Sequence, residues 1–123
     1  MPASQTRRVL VTGSCGQIGS ELVGELRNRY GSENVVASDI RPEWDGDSSG
    51  PFEQLDVRDG GRLRSLIAGH DIDTVVHMAA ILSAKGEREP MTAWEVNVSG
   101  LINALEAARE LGVARVLCPS SIA

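Results

Sequence analysis

Short apolar runs alternate along this chain with segments whose apolar residues recur at helical spacing. Most of the runs are rich in β-branched residues, end at small or polar residues, and lack a regular alternation of apolar and polar positions. Strands of that kind are buried on both faces, which happens when helices cover both sides of a parallel sheet. The pattern predicts five strands, at residues 9–11, 35–37, 52–57, 74–78 and 113–118, of which the third has mixed faces.

Three segments between these runs predict helices. Apolar residues fall on one face within residues 16–30, mark a short helix around Leu63 and Ile67, and recur at positions 94, 98, 101, 105 and 108. Right-handed crossovers between parallel strands then give an α/β, Rossmann-type doubly wound sheet with the strand order 3-2-1-4-5. We expect residues 1–123 to form one domain of this kind.

The composition narrows the classes of function. The chain has 123 residues, of which 41% are apolar, as in a small globular domain. Its net charge of −5 argues against a nucleic-acid partner and against binding to an anionic membrane surface. No apolar stretch approaches the roughly 20 residues of a membrane span. Cys15 and Cys118 have no partner motif, which predicts reduced thiols and a cytoplasmic location.

The clearest candidate site joins the first strand to the first helix, in the sequence VLVTGSCGQIGSEL. Gly13 allows a tight turn, Gly16 leaves room for a pyrophosphate against bare backbone, and Gly19 lets the helix pack close to the sheet. The helix N-terminus adds free N–H groups and a partial positive charge. Because the glycines lie between a strand and an amphipathic helix, and an acidic residue ends the next strand, they predict a dinucleotide site.

Asp39 ends the second strand and bears on the choice of cofactor. A carboxylate there accepts hydrogen bonds from both ribose hydroxyls and repels a 2′-phosphate, which favours NAD over NADP. Arg41 either lies in solvent or serves a 2′-phosphate. Asp56 and Val57 end the third strand at the same sheet edge. There they could flank the adenine, or Asp56 could cap the turn at residues 57–61.

Two features of the sequence could suggest a metal site, but neither predicts one. Part of the polar stretch at residues 41–50 mimics the start of a calcium loop. However, Asp56 stands where such a loop needs a bidentate glutamate, and no helix precedes the stretch. His77 lies in a buried strand without a second ligand at suitable spacing, so we expect a mid-strand core histidine.

The glycine spacing Gly-x-x-Gly-x-x-Gly and HMAA at residues 77–80 resemble the extended short-chain dehydrogenase/reductase superfamily of NAD-dependent epimerases and dehydratases. The segments GQIGSEL, NVVASDIR, GPFEQLDV, AWEVN and PSSIA are together similar to its L-threonine 3-dehydrogenase branch. The resemblance implies NAD-dependent oxidation of L-threonine to 2-amino-3-oxobutanoate. A tyrosinate base, whose pKa is lowered by a lysine, and a hydroxyl that orients the substrate oxygen would carry this reaction.

The resemblance also implies roles for individual residues. Ser121 matches the catalytic hydroxyl, Ser120 lies beside it, and Ser83 matches a substrate-contacting position. On their own, these serines would be interpreted as turn or loop residues, and Asn97 as an exposed helix residue. The residues expected to contact NAD are Gly13, Gly16, Gln17, Ile18, Gly19, Asp39, Ile40, Arg41, Asp56, Val57, Ala79, Ala80 and Asn97.

The Tyr-x-x-x-Lys pair of that superfamily is absent from these 123 residues. Tyr30 is the only tyrosine, and Asn34 stands four residues later. We therefore expect the N-terminal part of a longer enzyme, truncated after the fifth strand, inactive alone and with an exposed patch around Trp94 and Leu101. The resemblance implies that full-length relatives are homodimers. A nucleotide-sugar epimerase or dehydratase and a non-catalytic dinucleotide-binding module are the alternatives.

Overall fold

The computed structural model describes residues 7–44, 46–79 and 88–118, which are arranged around one sheet. The strands are β1 (Val9–Thr12), β2 (Val35–Asp39), β3 (Phe52–Gln54), β4 (Thr74–His77) and β5 (Arg115–Leu117). The helices are α1 (Gln17–Tyr30), α2 (Gly60–Gly69), α3 (Pro90–Trp94) and α4 (Gly100–Leu111). A 3₁₀ turn, Ser32–Asn34, precedes β2, and a π-helical turn, Glu95–Ser99, joins α3 to α4.

All strand pairs are parallel, in the order β3-β2-β1-β4-β5, which confirms the predicted fold class and strand order. β1 is central, so that Leu10 lies opposite Val36 on one side and Val75 on the other. The chain winds outward from β1 to β3 and then returns to begin the other half at β4. β1 and β4 therefore flank the point where the direction of winding reverses.

The strands supply two apolar layers, because successive side chains of a strand point to opposite faces. Leu10 and Val75 belong to the layer that includes α2 and α4. Val9 and Val11 belong to the opposite layer and pack with Val23 of α1. All five side chains are at most 1% exposed. Burial on both faces explains why these strands are apolar without alternation.

Several strands end earlier than their apolar runs. β3 stops at Gln54 rather than at residue 57, β4 stops at His77, and β5 is shorter than the predicted 113–118. Leu55 and Val57 leave the strand but stay buried, at 3% and 4% exposed, in the layer beneath α2 and α4. The Leu55 N–H still donates to the Asp39 carbonyl of β2 at 2.7 Å, whereas Val57 is apolar because it is buried in the core.

The helical segment before β5 differs from the regular helix expected. It contains a π-helical turn, and its contact with α2 and the sheet is made by small residues. Ala104 and Ala107 are fully buried, and a Cβ added to Gly100 would lie 2.6 Å from Val57. Residues 94, 98, 101 and 105, which we call the apolar stripe, lie outside that contact. Trp94 is 59% exposed, as expected for an exposed patch.

One charged side chain is buried between α1 and the loop that leads to β3. Arg27 is 3% exposed. Its guanidinium donates to the carbonyl oxygens of Val35 at 3.0 Å, of Pro51 at 2.6 Å and of Asp47. Burial lowers the pKa of Arg27. These hydrogen bonds hold the loop at residues 47–51 against the C-terminal half of α1.

Candidate cofactor-binding site

Two glycines at the junction of β1 and α1 are required by the backbone conformation and close packing of the chain itself. Gly13 has a φ of +67°, in the left-handed region that favours glycine, and a Cβ there would lie 2.7 Å from the Ala79 nitrogen. A Cβ on Gly19 would lie 2.4 Å from the carbonyl oxygen of Gly13. Gly13 is thus a turn glycine, and Gly19 lets α1 approach the end of β1.

Neither the backbone conformation nor the surrounding atoms require a glycine at position 16. Its φ of −69° and ψ of 165° are open to other residues, and a Cβ there would meet only the Gly13 carbonyl oxygen, at 3.6 Å, among the described atoms. Gly16 precedes α1, whose first turn has no side-chain cap. Gln17 and Ile18 are exposed beside it. An uncapped helix N-terminus beside bare backbone suits a pyrophosphate.

Two buried serines tie this turn to β2. The Ser14 N–H donates to the Ser38 carbonyl at 2.9 Å, and the Ser38 N–H donates back to Ser14 Oγ at 3.0 Å. Both hydroxyls also donate to the Val11 carbonyl, at 3.0 and 2.7 Å. The glycine turn and the end of β2 are therefore held together.

Asp39 lies at the end of β2, with its carboxylate held by two backbone groups. Oδ2 accepts the Cys15 N–H at 2.9 Å, and Oδ1 accepts the Arg41 N–H at 3.1 Å. An ionised carboxylate has about four acceptor positions, so each oxygen can accept one more hydrogen bond. Ile40 and Arg41 are exposed beside it. The Cys15 thiol of the glycine turn lies 3.7 Å from the Glu43 carbonyl, in the loop after β2.

Asp56 and Val57 lie beyond the end of β3, not within it as expected. The Asp56 carboxylate pairs with Arg58 at 2.7 Å, and its hydrogen bond with Arg58 lowers the pKa of Asp56. The Asp56 carbonyl accepts the Asp59 N–H at 2.8 Å. These contacts organise the turn before α2, as in the second interpretation of Asp56. Contact between Asp56 or Val57 and an adenine stays a prediction.

The end of β4 is tied to the end of β1 through Thr12. Thr12 Oγ1 accepts the N–H of Met78 at 3.0 Å and of Ala79 at 3.1 Å, and lies 3.0 Å from His77 Nδ1. His77 is 3% exposed, and burial lowers its pKa. It is a core histidine, as predicted. However, it ends β4 and so lies at the carboxyl edge of the sheet rather than in mid-strand.

The other residues predicted for the site are either exposed or outside the described residues. Asn97 is exposed within the π-helical turn. Ala80, Ser83, Ser120 and Ser121 lie outside the described residues, so their roles stay predictions. In the described ranges, no group of three His, Cys, Asp or Glu side chains is arranged to hold a metal ion. No helix in those ranges is long and apolar enough to cross a membrane.

The hydroxyl residues that connect the strand ends were not predicted from the sequence. Thr12, Ser14 and Ser38 are all fully buried and hydrogen-bonded. Thr12 and Ser38 each directly follow an apolar run, and Ser14 lies three residues beyond the first run. Buried polar groups need partners, so hydroxyls at successive strand ends could have indicated a hydrogen-bonded junction at this edge.

Comparison with known proteins agrees with this geometry. The model of the NAD dependent epimerase/dehydratase family matches residues 9–123. A protein of Staphylococcus saprophyticus, described as an uncharacterised epimerase/dehydratase, is 48% identical over 118 residues. The match covers 94% of this chain and 37% of that protein. The chain thus spans little more than a third of the length of this curated relative.

Solved structures show the same partial coverage. An L-threonine dehydrogenase from Clostridium difficile is 46% identical, with a TM-score of 0.88 over 94% of this chain and 37% of its own. A UDP-glucose-4-epimerase from Stenotrophomonas maltophila is 32% identical, with a TM-score of 0.81 over the same shares. The chain therefore belongs to the NAD dependent epimerase/dehydratase family, which confirms the superfamily resemblance and the prediction of an NAD cofactor.

Proposed function

We propose that this chain is the cofactor-binding portion of an NAD-dependent oxidoreductase that acts on L-threonine. When bound, NAD supplies the hydride acceptor. The residues that would hold it are the glycine turn, the N-terminus of α1, Asp39 and the backbone at Ala79. The product would be 2-amino-3-oxobutanoate, formed by oxidation of the threonine carbinol.

The main support for NAD binding at this site comes from Gly16. Neither its backbone angles nor its surroundings require a glycine. A ligand that approaches the backbone closely explains why no side chain stands there, and the uncapped turn of α1 offers N–H groups to a pyrophosphate. The acceptor positions that Asp39 keeps suit the two hydroxyls of a ribose.

Similarity supports L-threonine as the substrate. Identity is 46% to the C. difficile L-threonine dehydrogenase and 32% to the S. maltophila UDP-glucose-4-epimerase. On this proposal, Ser121 orients the substrate hydroxyl, and Ser83 and Ser120 contact the substrate. A nucleotide-sugar epimerase or dehydratase is the weaker candidate, because the identity to the UDP-glucose-4-epimerase is lower.

The preference for NADH and the place of its pyrophosphate can both be tested by titration. The chain should bind NADH more tightly than NADPH, because Asp39 would repel a 2′-phosphate. Gly16→Val should abolish NADH binding, since its side chain would occupy the place of the pyrophosphate. Fluorescence titration of the two dinucleotides measures both effects.

Gly24→Val provides the matched control for this experiment. A Cβ at Gly24, on the same helix, meets nothing within 4 Å among the described atoms. This variant should therefore bind NADH as the unchanged chain does. Normal binding by Gly16→Val would show that the pyrophosphate lies elsewhere, and equal affinity for NADPH would refute the role of Asp39.

The second prediction concerns turnover. A chain of these 123 residues should form no NADH from L-threonine, because it contains no Tyr-x-x-x-Lys pair to take the proton. A longer chain that adds such a pair should be active with L-threonine and inactive with UDP-glucose. NADH absorbance measures the oxidation of threonine, and product analysis measures epimerisation. Turnover by the short chain would contradict the assignment of the base.

A further inference from the structure

Three groups converge on the hydroxyl of Thr12. A hydroxyl has one hydrogen and two lone pairs. The N–H groups of Met78 and Ala79 point at Oγ1, at 3.0 and 3.1 Å, and the Met78 N–H is shared with the Thr12 carbonyl at 3.2 Å. With both lone pairs engaged, the hydroxyl hydrogen points to His77 Nδ1, 3.0 Å away.

This geometry fixes the tautomer of His77. Since Nδ1 accepts a hydrogen bond, the neutral ring carries its proton on Nε2. Nε2 is buried and has no hydrogen-bond partner within the part of the chain that the structure describes. A buried donor without an acceptor is unfavourable, so its own contacts do not explain this tautomer. The bond from Thr12 to Nδ1 does.

The hydrogen-bonded group lies where a ligand is expected in such a sheet. Thr12 ends β1 and His77 ends β4. These two strands flank the reversal of winding, and open α/β sheets bind their ligands in the crevice at that point. Gly13 and Ala79, which follow the two strands, lie close together, since a Cβ on Gly13 would lie 2.7 Å from the Ala79 nitrogen.

The ring of His77 also lies near the first residue of α4. A Cβ added to Gly100 would lie 3.9 Å from its Cε1 atom, so α4 passes close to the imidazole. His77 therefore lies between the end of β1 and the N-terminal end of α4.

We propose that His77 is a positioning residue for dinucleotide binding. By accepting the Thr12 hydroxyl hydrogen, it fixes Thr12 Oγ1 on the N–H groups of Met78 and Ala79 and sets the geometry of the crevice between β1 and β4. The inference rests on the proposed function in one respect, because the ligand whose affinity it sets is NAD(H).

The tautomer can be measured without any ligand. In the unbound chain labelled with ¹⁵N-histidine, nitrogen chemical shifts at pH 8 should show His77 unprotonated at Nδ1 and protonated at Nε2. His70, the other histidine, provides a second signal, which a His70→Gln variant assigns. A proton on Nδ1 of His77 would overturn the proposal.

Two substitutions of His77 distinguish the effect of its hydrogen bond with Thr12 from the effect of its packing. His77→Asn keeps an oxygen acceptor near the place of Nδ1, whereas His77→Leu fills more of the space with no acceptor. NADH affinity should stay within about twofold in His77→Asn and fall by about fivefold to tenfold in His77→Leu, as expected for the loss of one hydrogen bond. If packing alone matters, the leucine variant should bind as well as the asparagine variant or better, and that order would refute the proposal.

Amide exchange keeps the test independent of the proposed function. In the unbound chain, the Ala79 N–H should exchange slowly in the unchanged protein and in His77→Asn, and about fivefold to tenfold faster in His77→Leu. Equal exchange in all three would overturn the positioning role even if NADH binds. If the unchanged protein does not bind NADH, the proposed function fails, while the tautomer and the exchange rates still decide whether His77 positions Thr12 and the Ala79 N–H.

Discussion

Arg27 shows how much of this fold depends on one side chain. Three carbonyl oxygens accept its hydrogen bonds, and two of them belong to the loop between β2 and β3. Arg27→Met should lower the free energy of unfolding by about 3 kcal/mol, because the buried Val35 carbonyl and the part-buried carbonyls of Pro51 and Asp47 would lose their donor, and a buried acceptor without a donor costs roughly 1–3 kcal/mol. Urea denaturation measures this change.

Arg29→Met is the control for Arg27→Met. Arg29 is exposed on the same helix, so the same chemical change there should alter the free energy of unfolding by less than about 0.5 kcal/mol. Similar losses in both variants would mean that the charge of α1, and not the hydrogen bonds of Arg27, stabilises the fold.

The sequence predicted the residues of the glycine turn because their signal is local. Gly13, Gly16 and Gly19 lie within one strand–turn–helix unit. The partners of Arg27 and Thr12 are distant along the chain: Pro51 is 24 residues from Arg27, and Ala79 is 67 residues from Thr12. Periodicity carries no information on such pairs, so these roles became visible only in the folded chain.

Adjacent residues of α4 lie in opposite environments. Ala104 is fully buried, whereas Leu105 is 49% exposed in the apolar stripe. Exposed apolar surface of this kind favours association, so we expect copies of the chain to pair through the stripe. Leu105→Glu should shift the chain toward monomer in analytical ultracentrifugation and leave its melting temperature nearly unchanged.

Ala104→Glu should behave in the opposite way. It would bury an unpaired carboxylate against α2 and the sheet, which costs several kcal/mol, so the chain should fail to fold. Circular dichroism distinguishes the two outcomes. If Leu105→Glu unfolds the chain as Ala104→Glu does, then the stripe belongs to the core.

The elements themselves were largely predictable, but their ends and one packing face were not. The strand predicted at residues 52–57 is longer than β3, because Leu55 and Val57 are buried in the core beyond the end of the strand. The large apolar residues of the helical segment before β5 form the stripe, of which only Leu101 and Leu105 belong to α4. The buried face is made of glycine and alanine, which contribute little to an apolar pattern although they allow the closest approach.

Acid should destabilise the molecule as a whole. Burial lowers the pKa of His77 below 6.5, so the folded chain binds fewer protons than the unfolded chain between that lowered pKa and 6.5. Its stabilising contribution is complete above about pH 6.5 and decreases as the pH falls. Arg58 lowers the pKa of Asp56 below 3.8, so the contribution of Asp56 is lost further into the acid range.

Calorimetry between about pH 8 and pH 3 measures this dependence. The melting temperature should fall first below about pH 6.5 and again below about pH 3.8. His77→Asn, which has no imidazole to protonate, should lack the first decrease and keep the second. A first decrease of full size in that variant would assign it to other groups.

The strand order was predictable at the scale of the whole molecule because few topologies satisfy parallel pairing, helical crossovers and right-handed connections. The described chain follows those rules, with β1 at the centre and the winding reversed at β4. The positions of Ser83, Ser120 and Ser121 relative to this sheet edge stay predictions.

The glycine turn is hydrogen-bonded to the strands on both sides of it, and this affects the entropy of ligand binding. Ser14 joins the turn to β2, and Thr12 joins its entry to the end of β4. A loop that becomes ordered only on binding loses conformational entropy, at roughly 0.5–1.5 kcal/mol for each side chain immobilised. This turn is preorganised, so little of that entropy is left to lose when a dinucleotide arrives.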